Sequence, residues 1–194
     1  MIGLVAPVLI ATGLALGRGG SLDAWARQRI RWWPLAVVAL GIQLPLYSPP
    51  VNAWPPVTTA GTVLGLFTML LVLVVILRNA TGAMQPACLL AALGIALNLI
   101  VMGANDGVMP RAEELAPLLG DWGVRAGSRD AVVTNTAPLR PGARLSVLAD
   151  TLPEPAWLPL ANLVSPGDLA LSFGAAWWAF LVTRGPTRRG ARQR

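Results

Sequence analysis

The chain has 194 residues, of which 55% are hydrophobic and 12% are charged, and its formal net charge is +6. Soluble domains usually carry about 25% charged residues, so this composition indicates an integral membrane protein. Because the basic residues flank apolar runs, they indicate membrane orientation and argue against nucleic-acid binding. The absence of histidine and the single cysteine, Cys88, exclude a histidine general base and a cysteine–histidine zinc site, so we expect no metal and no cofactor.

Five apolar segments follow one another along the chain, and each is predicted to form a transmembrane helix. The first has no positively charged region before it, so we interpret it as a retained span and not as a cleaved signal peptide. The third is the clearest, because it contains no charged residue and would extend roughly 31 Å as a helix. The predicted spans are residues 2–17, 32–47, 57–77, 86–104 and 166–183.

The arginines are distributed unevenly between the two ends of these spans. Ten of the fifteen lie in three segments, Arg18–Arg31, Arg78 and Arg184–Arg194, and two apolar spans separate each segment from the next. Two crossings return a chain to the side that it left, so all three segments can face one compartment. Since arginine favours the cytoplasmic side of short loops, we expect the N-terminus outside and the C-terminus inside.

The stretch over residues 105–164 contains no comparable apolar run and holds seven of the nine acidic residues. After four crossings it would lie outside, and its many prolines leave it a thin core, so we expect it to rest on the membrane domain. Pro110, followed by Glu113 and Glu114, predicts a helix that ends near Gly120. The chain is thus expected to form a single membrane domain over residues 1–183 and a basic cytoplasmic tail over 184–194.

Polar residues at the outer end of the fourth span form the first part of a candidate polar site. Asn98 and Asn105 are seven residues apart and share one helix face, and Asp106 follows directly. Two amides and a carboxylate could line a polar pocket there. The alternative is an interhelical hydrogen bond from Asn98 and a helix-ending turn at Asn105, Asp106 and Gly107.

The start of the fifth span adds Asp168 to this candidate site. Ser165, Pro166, Gly167 and Asp168 have the spacing of a capping box, in which Ser165 is the N-cap and Asp168 reaches back to the Ser165 amide. Asp168 is also the carboxylate nearest the membrane. A buried acid in that place could instead be a general acid with a raised pKa.

Two pairs of glycines are spaced for close helix packing. Gly13 and Gly17 in the first span, and Gly61 and Gly65 in the third, have the small-xxx-small spacing that permits helices to approach closely. The interiors of the first four spans contain no ionisable side chain, which proton-coupled pumps usually need.

Three stretches carry a resemblance to a known family. They are Arg18–Leu22 leading to Arg29–Trp33, then Asn98–Pro110, and finally Ser165–Asp168. Together they resemble a bacterial multi-pass membrane family catalogued as domain of unknown function 5317, and the segment Asn-Asp-Gly-x-Met-Pro is the most specific part. The resemblance spans nearly the whole chain. It implies a fold and a membrane location but no activity.

The sequence therefore predicts an all-α integral membrane protein of the bacterial cytoplasmic membrane, with five transmembrane helices and an outer loop between the fourth and fifth. The lack of catalytic residue types favours a non-enzymatic accessory, assembly or sensory component. Its expected partners are the lipid bilayer and other membrane proteins or further copies of the chain. The alternatives are a lipid-handling enzyme or binder that uses the polar site at the outer leaflet, and a small-solute transporter.

Overall fold

Six α-helices account for most of the residues that the computed structural model describes, which are residues 2–46, 48, 51, 54–120 and 135–185. Five of the helices are long, and their ends lie within two residues of the five predicted apolar spans. The helices are α1 Ile2–Gly17, α2 Asp23–Arg27, α3 Trp33–Leu46, α4 Pro55–Asn79, α5 Gln85–Ala104 and α6 Pro166–Arg184. The prediction of a mainly helical chain is confirmed.

Two of these helices are long and apolar enough to cross a membrane. The segment Ala60–Asn79 of α4 has a mean hydropathy of 2.7, and Gly82–Ala104, which includes α5, has a mean hydropathy of 2.3. Two further apolar helical segments, Val5–Gly17 and Trp33–Leu46, are shorter. A helix rises about 1.5 Å per residue, so these shorter segments span less than a full hydrocarbon core.

The long helices pack in the order α1, α6, α5, α4, α3, which differs from their order in the chain. The last helix, α6, lies between α1 and α5, and α4 lies between α5 and α3. We call this arrangement the helix row. It brings the start of α6 beside the second half of α5, where the candidate polar residues are.

Helices α5 and α6 approach each other at glycines. A Cβ atom at Gly94 would overlap the backbone of Gly167 and Leu171, and a Cβ atom at Gly174 would overlap the backbone of Ala91. Small residues therefore let these two backbones come into direct contact.

The glycine pairs that sequence spacing singled out are not at such contacts. A Cβ atom at Gly13, Gly17 or Gly65 would meet nothing within 4 Å. The structure therefore shows no close approach within the described residues at Gly13, Gly17 or Gly65, although the spacing would permit one. The spacing of two glycines does not determine which face of a helix meets a neighbour.

The loop after α1, residues 18–32, is attached to the ends of two other helices. The Arg31 N–H donates to Asn79 Oδ1 at 2.8 Å, and Asn79 Nδ2 donates to the Arg31 carbonyl at 2.9 Å. The Trp25 indole N–H donates to Thr183 Oγ1 at 2.8 Å. The described parts of the three arginine segments therefore lie at the same end of the helix row, which we call the arginine end.

The segment between α5 and α6 forms two small strand pairs at the opposite end. Strands β1 and β2 are parallel, and strands β3 and β4 are antiparallel. Met109 packs against Val101 and Met102 of α5, with Leu66 and Met69 of α4 nearby. The described part of the segment thus packs on α5 and α4 through Met109. The strands are β1 Met109–Arg111, β2 Thr136–Pro138, β3 Leu152–Pro153 and β4 Leu163–Val164.

The helix predicted to start at Pro110 begins later and is of a different type. Pro110 lies in β1, and the helical stretch is a 3-10 helix over Glu113–Leu119 that ends at Gly120, where φ is +69°. Pairing with β2 keeps Arg111 extended, so the chain cannot turn helical before Glu113. The residues 121–134 and the tail beyond Gly185 lie outside the described residues.

Candidate functional site

Asn98, Ser165 and Asp168 form a hydrogen-bonded network between α5 and α6. Asn98 Nδ2 donates to Asp168 Oδ1 at 2.7 Å, and the Ser165 hydroxyl donates to Asn98 Oδ1 at 2.8 Å. Asn98 is 6% exposed and Ser165 is fully buried. Both polar ends of the Asn98 amide therefore bind α6, so the side chain joins the two helices.

The start of α6 is closed by a capping box. The Asp168 N–H donates to Ser165 Oγ at 3.0 Å, and the Ser165 N–H donates to Asp168 Oδ2 at 3.0 Å. Pro166 occupies the first helical turn, where its missing N–H costs nothing. The carboxylate also lies at the positive end of the helix dipole. Each oxygen of Asp168 thus accepts a hydrogen bond that holds the helix start together.

Gly167 makes this network possible. A Cβ atom there would overlap Asn98 Oδ1 and would lie 2.8 Å from the Gly94 carbonyl oxygen. Real Cβ atoms essentially never approach other heavy atoms this closely. Glycine at position 167 therefore lets the Asn98 amide reach the first turn of α6.

Asn105 binds a different part of the molecule. Its Nδ2 donates to the Val101 carbonyl at 2.8 Å and to the Arg144 carbonyl at 2.9 Å, and its Oδ1 accepts from the Arg144 N–H at 2.9 Å. The side chain thus ends α5 and attaches the segment between α5 and α6 to it. Within the described ranges, no hydrogen bond connects Asn105 to the network around Asn98.

Asp106 lies outside the network as well. It is exposed and has a φ of +56°, and Gly107 follows with a φ of +83°. The Gly107 N–H donates to the Met102 carbonyl at 2.7 Å, which closes the turn after α5. Of the four residues proposed for a polar site, the structure brings Asn98 and Asp168 together and leaves Asn105 and Asp106 apart from them.

Sequence reasoning missed a buried carboxyl group, that of Asp150. This residue is 7% exposed, and its Oδ1 has no hydrogen-bond partner among the described residues. Its backbone is fixed beside β1, because its N–H donates to the Pro110 carbonyl at 2.9 Å and its carbonyl accepts from the Ala112 N–H at 3.0 Å. Burial, and then the Asp168 carboxylate, raise the pKa of Asp150 to about 8, while Arg111 opposes the shift.

Arg111, itself buried, connects Asp150 to a second group of polar residues that are buried or partly buried. The Arg111 guanidinium donates to Asn162 Oδ1 at 2.6 Å and lies 3.2 Å from Glu113 Oε1. The Asn162 N–H donates to Glu154 Oε2 at 2.9 Å. The only sequence signal for this cluster is the concentration of acids in residues 105–164. The pairing of Arg111 with Asp150 joins residues 39 positions apart, and local spacing does not encode it.

Proton exchange is the chemistry that this arrangement can support. Asp150 is half protonated near pH 8 and is influenced by Asp168, whose oxygens are held by Asn98 and Ser165. Among the described residues, no group of three or more acidic, cysteine or histidine side chains could hold a metal ion.

One comparison with known proteins gives a match. A family model described as "Family of unknown function (DUF5317)" matches residues 27–180, from the loop after α1 to the last turns of α6. No curated protein and no solved structure matches the chain. The family match confirms the resemblance that the sequence motifs indicated.

Proposed function

This chain belongs to the family of unknown function DUF5317, and from that premise we propose a non-enzymatic membrane protein with five transmembrane helices. In this proposal its N-terminus lies outside a bacterial cytoplasmic membrane and its C-terminus inside. It serves as an accessory, assembly or sensory component. Its partners are the surrounding lipid and other membrane proteins or further copies of itself.

The apolar surface of the helices is the observation that carries this proposal. Only 22% of the apolar window in α4 is buried within the protein, whereas the core helix of a soluble protein would be mostly buried. Large side chains project outward from several helices, for example Leu9 and Ile10 in α1, Leu44 in α3 and Val63 in α4. Soluble proteins rarely expose continuous apolar patches of this kind, and lipid is the solvent in which such a surface is stable.

The arginine end supports the proposed orientation. Arg31 is tied to Asn79 at the end of α4, and the Arg78 guanidinium lies 5.3 Å from the centre of the Trp32 ring. Arg184 ends α6 at the same end of the row. Arginine is enriched on the cytoplasmic side of membrane proteins. All of these positions are therefore consistent with an arginine end that faces the cytoplasm.

The hydrogen bonding of the polar residues supports a role without catalysis. The Asn98 amide and both oxygens of Asp168 bind partners within the fold, and Asn105 does the same. Side chains that hold helices and turns together are poorly available to a substrate. They fit the interhelical hydrogen bonds that stabilise membrane bundles.

Reporter fusions test the topology. We expect periplasmic reporter activity for a fusion after Pro141 and cytoplasmic activity for a fusion after Arg189. The opposite result at either position contradicts the five-helix arrangement.

Purification tests the proposed role. We expect the full chain, extracted in mild detergent, to carry a stoichiometric protein partner or to form a defined oligomer. The proposed role is contradicted if the chain purifies as a monomer without a partner and a strain that lacks the protein grows normally under envelope stress.

Asp150 favours one second candidate, a lipid-handling enzyme or binder at the outer face. A buried carboxyl near a second carboxylate is an arrangement that acid–base catalysis uses. We expect the variants Asp150→Asn and Asp168→Asn to reproduce the lipid phenotype of a deletion strain if this candidate is right, and the exposed Asp106→Asn to have no effect. If Asp150→Asn and Asp168→Asn both leave lipid composition and growth unchanged, the candidate fails.

A further inference from the structure

A shallow groove opens at the arginine end, in the loop between α2 and α3. Its volume is about 440 Å³, and it is lined by Gln28, Arg29, Ile30 and Trp33. Two of these side chains are polar donors and two are apolar. Ile30 is 41% exposed and Trp33 is 59% exposed, so the apolar half of the groove has no cover from the described residues.

The chain before and within the groove-lining stretch is fixed by contacts with other helices. On one side, Asn79 of α4 binds the N–H and the carbonyl of Arg31. On the other side, α2 is held by the Trp25 indole, which donates to Thr183 and meets the Trp178 ring edge to face with the ring centres 5.3 Å apart. The groove is therefore a built feature of the fold.

The loop that carries the groove is basic. Arg27, Arg29 and Arg31 lie within five residues, Arg29 lines the groove itself, and Asp23 is the one acidic residue of residues 18–33. In the part of the chain that the structure describes, no carboxylate forms a salt bridge with these three guanidinium groups, since the salt bridge found there joins Arg111 and Glu113. The positive charge of this loop is thus not neutralised by a salt bridge among the described residues.

We propose that this groove binds the headgroup of an anionic phospholipid, with its phosphate against Arg29 and Gln28 and its acyl chains beside Ile30 and Trp33. Guanidinium groups match phosphate oxygens in geometry and charge. The exposed tryptophan and isoleucine distinguish a lipid from a soluble phosphate, because a soluble phosphate has no apolar part to bind there. This inference rests on the membrane location proposed above and adds a specific lipid class and a site.

Native mass spectrometry of the full chain in detergent tests the groove. The probes are phosphatidylglycerol, phosphatidylcholine with the same acyl chains, and inorganic phosphate. We expect selective retention of phosphatidylglycerol. Because the Arg29 guanidinium would give the phosphate charge-assisted hydrogen bonds, Arg29→Gln should weaken that retention about tenfold or more. Arg29→Lys should restore part of it.

Arg140→Gln is the matched control, since Arg140 is an exposed arginine in the outer segment. It should retain phosphatidylglycerol as the unaltered chain does. Equal loss in both glutamine variants, equal retention of the two lipids, or displacement of the lipid by equimolar inorganic phosphate would overturn the inference. Circular dichroism at 222 nm shows whether each variant is folded. Lipid binding is then compared only between folded proteins.

The outcome is distinguishable from a failure of the proposed function. If the reporter fusions give the expected topology and the chain shows no lipid preference, the groove inference is wrong and the membrane proposal stands. If the fusions give the opposite topology, the groove does not face the cytoplasmic leaflet and both proposals fall.

Discussion

At the scale of single residues, Asp150 has the most strongly shifted pKa among the titratable groups of the described residues. Its pKa is raised from 3.8 to about 8, so between these values the folded protein binds more protons at this site than the unfolded chain does. The contribution of Asp150 to the free energy of unfolding is therefore greatest below about pH 4, and it falls as the pH rises toward 8. The fall can reach about 1.4 kcal/mol per pH unit for one proton.

We expect Asp150→Asn to flatten this pH dependence, because an amide of nearly the same shape does not ionise. Thermal unfolding of the detergent-solubilised protein at pH 5, 7 and 9 measures the effect. The excess of the variant's stability over that of the unaltered protein should be smallest at pH 5 and should grow toward pH 9, because the loss begins near pH 4. Asp106→Asn is the control, since Asp106 is exposed and should leave the pH dependence unchanged. An unaltered slope in Asp150→Asn would contradict the role given to burial.

At the scale of elements, the contact between α5 and α6 depends on small side chains. Their spacing along α5 is four, three and four residues through Ala87, Ala91, Gly94 and Asn98, which places them on one helix face. All four lie against glycines of α6, Ala87 and Ala91 against Gly174, and Gly94 and Asn98 against Gly167. The result is a close backbone contact that ends at the Asn98 amide.

We expect Gly94→Ala to destabilise the protein by about 1–3 kcal/mol, because the added methyl group overlaps the backbone of α6. Gly103→Ala in the same helix meets nothing within 4 Å and should be neutral or slightly stabilising, since alanine is the better helix former. Thermal unfolding of both variants in one detergent makes the comparison. Equal melting temperatures would show that the contact does not limit stability.

The sequence predicts the positions of the long helices because an apolar run is a local property of the chain. It also predicts the capping motif at Ser165, since that motif needs three residues of spacing. It does not reveal that α6 lies between α1 and α5, because helix order depends on contacts between distant segments. Asp150 was missed for the same reason: its burial follows from pairing with Arg111, and no local pattern around either residue indicates it.

At the scale of the whole molecule, α6 holds the helix row together. It contacts α1 on one side and α5 on the other, and the loop after α1 also binds its last turn through Ser21 and Thr183. Helices α3 and α4 are not neighbours of α1 in the row. We therefore expect the stability of the helix row to depend more on α6 as a whole than on any single contact within the row.

We expect a chain truncated after Val164, which lacks α6, to be degraded much faster in cells than the full chain. A chain truncated after Gly185 keeps all six helices and is the matched control. Pulse-chase labelling measures both lifetimes. Similar lifetimes for the two truncated chains would contradict the central position of α6 in the row.

The order of the row has a consequence for biogenesis. Helix α1 is synthesised before its main neighbour α6, which begins more than 140 residues later in the chain. Throughout that interval the main native neighbour of α1 is absent. The contact between the two helices therefore forms late, and until then the insertion machinery or the surrounding lipid has to stabilise α1.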